Sequence, residues 1–173
     1  MSTLFVNNLN TASGTSIALA SGKTLDTSGG TLVPSTNQII QVFEKEWTTA
    51  TATTSASFVD VNSGSFSFTP KYSNSKLLFQ GHFAARYDHN TSAGGAYMYV
   101  WNGNNVISSV NYQNYDDGSG NRYRMMGLHG SITAGTTSTA TVKLQQAAYN
   151  GATLWTNWNG GFTSGFMVME IAQ

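Results

Sequence analysis

Residues 76–86 read KLLFQGHFAAR. Leu77, Phe79, Gly81, Phe83 and Ala85 fall on one side of an extended chain, and Gln80, His82 and Arg86 on the other. A period of two residues is the pattern of a β-strand with one buried face. Two phenylalanines and a leucine on that face require a second layer to pack against.

The same pattern recurs outward from this strand. Upstream, Ile39 to Trp47 opens the series, Val59-Asp60-Val61 is a short run, and Ser65 to Phe68 alternates until Pro70. Downstream, Tyr97, Tyr99 and Trp101 alternate with Met98 and Val100. Val106 to Tyr112 follows the turn sequence Asn102-Gly103-Asn104-Asn105. Tyr123 to Ile132 puts Met126, Leu128 and Ile132 on one side. Ala140, Val142 and Leu144 alternate with Thr141, Lys143 and Gln145, and Phe166 to Ile171 makes a last strand. About eight or nine strands therefore fill residues 44–173 and the approach to them. Further turn signals stand at Asn62-Ser63-Gly64, Asn74-Ser75, Gly94-Gly95, Gly118-Ser119-Gly120, Ala134-Gly135 and Gly160-Gly161. Helical periodicity is almost absent. The fold class expected is all-β: an antiparallel sandwich, jelly-roll-like rather than immunoglobulin-like.

Several strands are apolar on both faces. Tyr97, Tyr99 and Trp101 oppose Met98 and Val100, and Phe166-Met167-Val168-Met169 has no polar side. An antiparallel sheet that faces water reads polar on that side, so an identical neighbour is expected to cover the second face. Tyr97, Tyr99, Trp101 and His129 are the expected packing residues of a trimer.

Residues 1–43 differ from the rest. Glycine, serine and threonine alternate there with isolated Leu and Ile, and Gly14, Gly22 and Gly30 are spaced evenly, as are Ile17, Leu25 and Val33. Ordering a residue costs roughly 1–2 kcal/mol, and burying a Leu or Ile returns about 1.5–3 kcal/mol. One copy has nothing to bury them against, whereas three copies about an axis can stack Ile17, Leu25 and Val33 in layers. The expected organisation is an extended stalk, 1–43, followed by a sandwich head, 44–173. A flexible Ser/Gly-rich arm is the other reading of the first segment.

Composition narrows the function classes. Only 9% of the 173 residues are charged, and eight basic residues cancel eight acidic ones. Such a chain has no electrostatic footprint for nucleic acid or an anionic membrane. With no cysteine, disulfides and thiolate metal sites are out. The start lacks a basic region followed by an apolar one, and no apolar run is long enough to span a bilayer, so synthesis in the cytoplasm of the producing cell is expected.

Three stretches carry a resemblance. STLFVNNLNTASGTSIALASGKTLD, FSFTPKYSNSKLLFQGHF and SGFMVMEIAQ resemble segments of tail-fibre and related virion proteins of tailed bacteriophages. That resemblance implies a homotrimeric virion fibre. Its N-terminal segment would dock to other virion proteins, and its β head would meet a glycan or protein of the host surface. It also implies a location in the virion, at the tail or capsid surface. A capsid decoration or head-fibre protein is an alternative within the same resemblance, and a free lectin-like module an alternative outside it.

Motifs for catalysis and cofactors are weak. Ser21-Gly22-Lys23-Thr24 resembles the end of a P-loop, but Ile17 stands where its first glycine belongs. His82, His89 and His129 are dispersed, although in a trimer His129 can meet its copies on the axis. Asp116-Asp117 lacks the alternating ligands and distal Glu of a calcium loop. Asp60, Asp88, Asp116, Asp117 and Glu170 do not stand in a recognisable glycosidase setting, and there is no G-x-S-x-G. Asn90-Thr91-Ser92 fits a glycosylation sequon, which has no meaning in a bacterially made protein. No enzyme activity, metal or cofactor is expected.

Aromatic and polar residues gather in two places. Tyr112, Tyr115, Asp116, Asp117, Asn121 and Tyr123 surround one loop, and Trp155 and Trp158 stand in LWTNWNGG. Rings stack on sugars while Asn and Asp bond hydroxyls, so these are candidate receptor contacts. The same rings also suit core or intersubunit packing.

Overall fold

The computed structural model describes residue 21 and residues 34–88, 94–106, 110–113, 121–158 and 161–173. Residues 34–173 form one compact unit. Among the described residues there are eleven strands and no α-helix. They are β1 (Ile39–Trp47), β2 (Thr51–Thr53), β3 (Val59–Phe68), β4 (Lys76–Asp88), β5 (Gly94–Trp101), β6 (Asn104–Asn105), β7 (Val110–Gln113), β8 (Asn121–Thr133), β9 (Ala140–Tyr149), β10 (Thr153–Thr156) and β11 (Ser164–Ile171). Residues 39–43, at the end of the expected stalk segment and the start of the expected first strand, lie in β1.

The pairing defines the fold. β5 turns into β6 and also pairs with β7. Moving out from that hairpin, β4 pairs with β8, β3 with β9, β2 with β10 and β1 with β11, all antiparallel. The described strands thus pair as one long hairpin folded over between two sheets: β5 with β6 and β7 in the second, β4 with β8 in the first, β3 with β9 in the second, and both β2 with β10 and β1 with β11 in the first. β4 also takes β11 along its first half and β10 along its second. The first sheet runs β8, β4, then β10 and β11, then β1 and β2; the second runs β3, β9, β5, then β6 and β7. That connectivity is a jelly roll.

Two turns explain the winding. Asn102 and Gly103 both have positive φ, 47° and 80°, the mirror-image geometry that matches strand twist in a two-residue hairpin. Asn150 and Gly151 repeat it between β9 and β10, at 57° and 73°. Two expected turns are instead parts of strands. Gly94-Gly95 opens β5, because a Cβ on Gly95 would stand 2.9 Å from the Ala147 carbonyl oxygen and from Leu154. That glycine admits close backbone approach. Asn62-Ser63-Gly64 is a bulge within β3, where the register with β9 shifts and Ser63 takes φ 62°.

The core lies between the sheets and is largely aromatic. Tyr97 stacks on Phe83 with centroids 5.2 Å apart, Tyr99 meets Phe79 at 5.5 Å and Phe166 at 5.2 Å, and Trp101 meets Phe68 edge-on at 6.1 Å. The polar ends of these rings are satisfied within the chain. Trp101 Nε1 donates to the Ala134 carbonyl at 2.9 Å and Tyr99 Oη to the Leu128 carbonyl at 3.2 Å. Thr156 gives its proton to Gln146 Oε1, so Tyr97 Oη donates to Thr156 Oγ1, at 2.9 Å.

This corrects the packing role expected of Tyr97, Tyr99 and Trp101. Each is at most 1% exposed, and their contacts lie within their own chain: Tyr97 and Tyr99 meet rings of the opposite sheet, and Trp101 meets Phe68 of β3. The second face of β5 is buried as well, including Ala96, Met98 and Val100, and does not wait for a neighbour. β11 differs. Phe166 and Val168 point into the core, while Met167 and Met169 are half-buried on the outer side of the first sheet.

Candidate functional site

Strand register builds a cluster on the outer face of the first sheet. Arg86 of β4 lies beside Tyr123 of β8 and Trp155 of β10, and Asp88 lies beside Asn121 and Thr153 in the next outward row. Arg86 belongs to the strand's polar face, as its alternation requires, yet it is only 7% exposed. Trp158 covers it.

Asn157 sets that cover. It takes φ 56°, its backbone N–H donates to the Ala84 carbonyl at 2.9 Å, and its Nδ2 donates to the Trp47 carbonyl at 2.8 Å. Ser164 Oγ donates to Asn157 Oδ1 at 2.6 Å. Asparagine tolerates the left-handed conformation because its short side chain bonds locally. The chain therefore leaves β10 at a fixed angle and lays the indole of Trp158 over β4.

The Arg86 guanidinium carbon sits 3.3 Å from the centroid of the Trp158 ring and 5.9 Å from that of Tyr123. A desolvated guanidinium over a Trp face is held by about 2 kcal/mol. Asp88 completes the arrangement. Its Oδ1 is 2.5 Å from Arg86 Nε, an ion pair without hydrogen-bond alignment, and its Oδ2 accepts from Trp155 Nε1 at 2.7 Å. Trp155 in turn meets Trp158 edge-on at 4.6 Å. Arg86 Nε and Nη1 are buried and make no hydrogen bond.

Above this cluster is a cleft of roughly 210 Å³ lined by Arg86, Tyr123, Met125, Trp158, Phe162 and the β4 alanines. Tyr123 is 50% exposed, Met125 64% and Phe162 45%. The site thus combines a buried cation with open apolar surface.

Three sequence-predicted contacts converge here: Tyr123, Trp155 and Trp158. Asn121 begins β8 opposite Asp88. Tyr112 belongs to β7 of the other sheet, opposite Gly95. Tyr115, Asp116 and Asp117 lie outside the described residues, as do His89, Ile17, Leu25 and Val33. Sequence reasoning missed Arg86, Asp88, Met125 and Phe162 as members of the site. The available signal was an Arg and an Asp two residues apart on the polar face of an otherwise apolar strand.

The remaining candidate groups are separate from the cleft. Asp60 accepts from Lys143 Nζ at 2.6 Å and Gln145 Nε2 at 2.8 Å, and those hydrogen bonds hold its carboxyl below the usual range. Glu170 is buried between β11 and the turn after β3. His129 is exposed beside Gln80, and His82 is exposed beside Gly127 and Gly165. Among the described residues no three His, Asp or Glu converge to hold a metal ion, and no helix is long and apolar enough to cross a membrane.

No family model and no curated protein matches the chain. Among solved structures, the VP2 subviral particle of infectious bursal disease virus is similar over 88% of this chain and 37% of that one, with 12% identity and a TM-score of 0.47. T=1 particles derived from the same virus are similar over 87% and 40%, with 15% identity and a TM-score of 0.45. Dimeric latent PorU of Porphyromonas gingivalis is similar over 80% and 14%, with 8% identity and a TM-score of 0.42. The chain therefore spans two-fifths or less of each of these proteins. The jelly-roll assignment rests on the chain's own strand pairing.

Proposed function

We propose that this chain is a structural virion protein, a short homotrimeric fibre whose first segment docks to the particle and whose jelly-roll head contacts the host surface. The observation that carries this reading is the meeting of two of the stretches that resemble virion fibres. Glu170, from SGFMVMEIAQ, accepts the backbone N–H groups of Lys71 at 2.9 Å and Tyr72 at 3.0 Å, from FSFTPKYSNSKLLFQGHF. The two short stretches meet at one place in the fold, which supports reading them together.

The outer face of the first sheet supports self-association. Val42, Leu78, Met167 and Met169 form an uncharged strip with little polarity, and Val42 is 55% exposed. Glu44 and Glu46 lie on its β1 side, with His82 and His129 toward β8. A head-to-tail arrangement of copies brings those unlike edges together, which is the interface type that closes into rings.

Immunogold labelling of purified particles with antibody against this chain tests the reading. Label at the tail is the expected result. Label confined to the capsid replaces the fibre by a decoration protein, and absence of the chain from particles overturns the virion role.

A further inference from the structure

We propose that the cleft over Arg86 binds a single uncharged pyranose ring. This rests on the reading of the head as a host-contacting domain and names the ligand class for it.

Size sets the first limit. Drug-sized sites occupy about 300–1,000 Å³, and this cleft holds roughly 210 Å³, room for one ring and not a chain. Chemistry sets the second. Tyr123, Met125 and Phe162 leave large apolar surface in water, and a flat C–H face covers such rings. Arg86 is the polar part of the cleft lining, and an entirely apolar ligand would set no acceptor against that cation. The occupant must therefore bring acceptor oxygens as well as an apolar face. A sugar ring carries both surfaces.

Charge sets the third limit. Asp88 already pairs with Arg86, so the pair offers an anion no net attraction and places a carboxylate close by. Arg124 also borders the cleft, but it is exposed, with Nη1 donating to the Tyr123 carbonyl at 3.5 Å, so its charge is screened by salt. Asp88 is a positioning residue: it holds the guanidinium and the Trp155 indole in place.

Saturation-transfer difference NMR on the full chain provides the test, using methyl glucoside, galactoside and mannoside, with methyl glucuronide as the charged counterpart. Saturation of ring C–H protons in at least one neutral glycoside is expected, with a Kd of about a millimolar for so few atoms. Tyr123→Ala, at a half-exposed position, should abolish it while the melting curve stays in place. Arg86→Lys keeps the charge but not the planar fork and should weaken binding about tenfold. Binding of the glucuronide in preference to the neutral sugars overturns the proposal, as does a signal that Tyr123→Ala leaves unchanged. Silence from every neutral glycoside overturns it too. Particle labelling by antibody does not depend on the cleft, so these failures are distinguishable from failure of the virion reading.

Discussion

Glu170 is fully buried, and its environment explains how a carboxylate is tolerated there. Two backbone N–H groups and Gln41 Nε2, at 2.6 Å, donate to it, and hydrogen bonds to a charged group are worth about 1.5–3 kcal/mol. Glu170→Gln swaps an acceptor oxygen for an NH2 that faces the same donors. We expect a loss of about 2–3 kcal/mol, read as a lower urea midpoint at constant slope. An unchanged midpoint would mean that the turn after β3 is held by packing alone. Tyr97 and Tyr99 give a second prediction at this scale. Burial pushes both phenols far above their ordinary value near 10. A raised folded-state pKa leaves stability intact below pH ~10, the unfolded value, and removes it as pH rises beyond, because only the unfolded chain can ionise. Unfolding free energies from denaturant titrations should fall as pH rises past about 10, by about 1.4 kcal/mol per residue at one unit above it. Tyr97→Phe should reduce that slope, and equal slopes would dismiss the cause.

At the scale of elements, β4 is the strand on which the rest is arranged. It pairs along its whole length with β8 on one side and with β11 and β10 on the other. Its inner face carries core rings, and at Gly81 it carries a notch. A Cβ there would stand 2.5 Å from both Phe166 Cβ and the Tyr99 hydroxyl oxygen. Gly81→Ala forces β11 away or displaces Tyr99 from the Leu128 carbonyl, and overpacking of this kind costs about 1–3 kcal/mol. Thermal unfolding should shift down accordingly, and a wild-type melting temperature would show that the sheets have slack. The loop after β10 is a second such element. Asn157 fixes its direction, and through that the position of Trp158 over Arg86. Asn157→Ala should loosen the indole, seen as a red-shifted and more quenchable tryptophan emission; an unchanged spectrum would mean that Asn157 does not place it.

For the whole molecule, the expected outcome concerns assembly. Light scattering should give three times the 18.5 kDa of one chain, and the assembly should resist SDS and melt above the mesophile range of about 45–65 °C. A monodisperse 18.5 kDa species would sink the trimer. The doubly apolar strands that suggested assembly divide into two cases. β5 is covered inside its own chain, whereas the β11 methionines remain half-buried on an open sheet face. Only the second case still asks for a partner.

Much of the architecture was legible in local pattern. Alternation in KLLFQGHFAAR placed the β4 core residues on the correct face, and Asn102-Gly103 marked its hairpin through left-handed backbone preference. Such signals act between neighbours, where sterics and the two-residue pleat decide. The sequence alone also indicated that Tyr123, Trp155 and Trp158 were worth attention. It could not show that they share one site, since Trp155 and Asp88 are 67 residues apart and meet only because β10 returns beside β4. Nor could it show that Gly94-Gly95 continues a strand, which depends on the close approach of Ala147 and Leu154. Local preference was sufficient for strands and turns. Tertiary structure alone decided which residues lie in the core, which form the cleft and that Arg86 is buried, because those outcomes come from long-range pairing that no short window of residues contains.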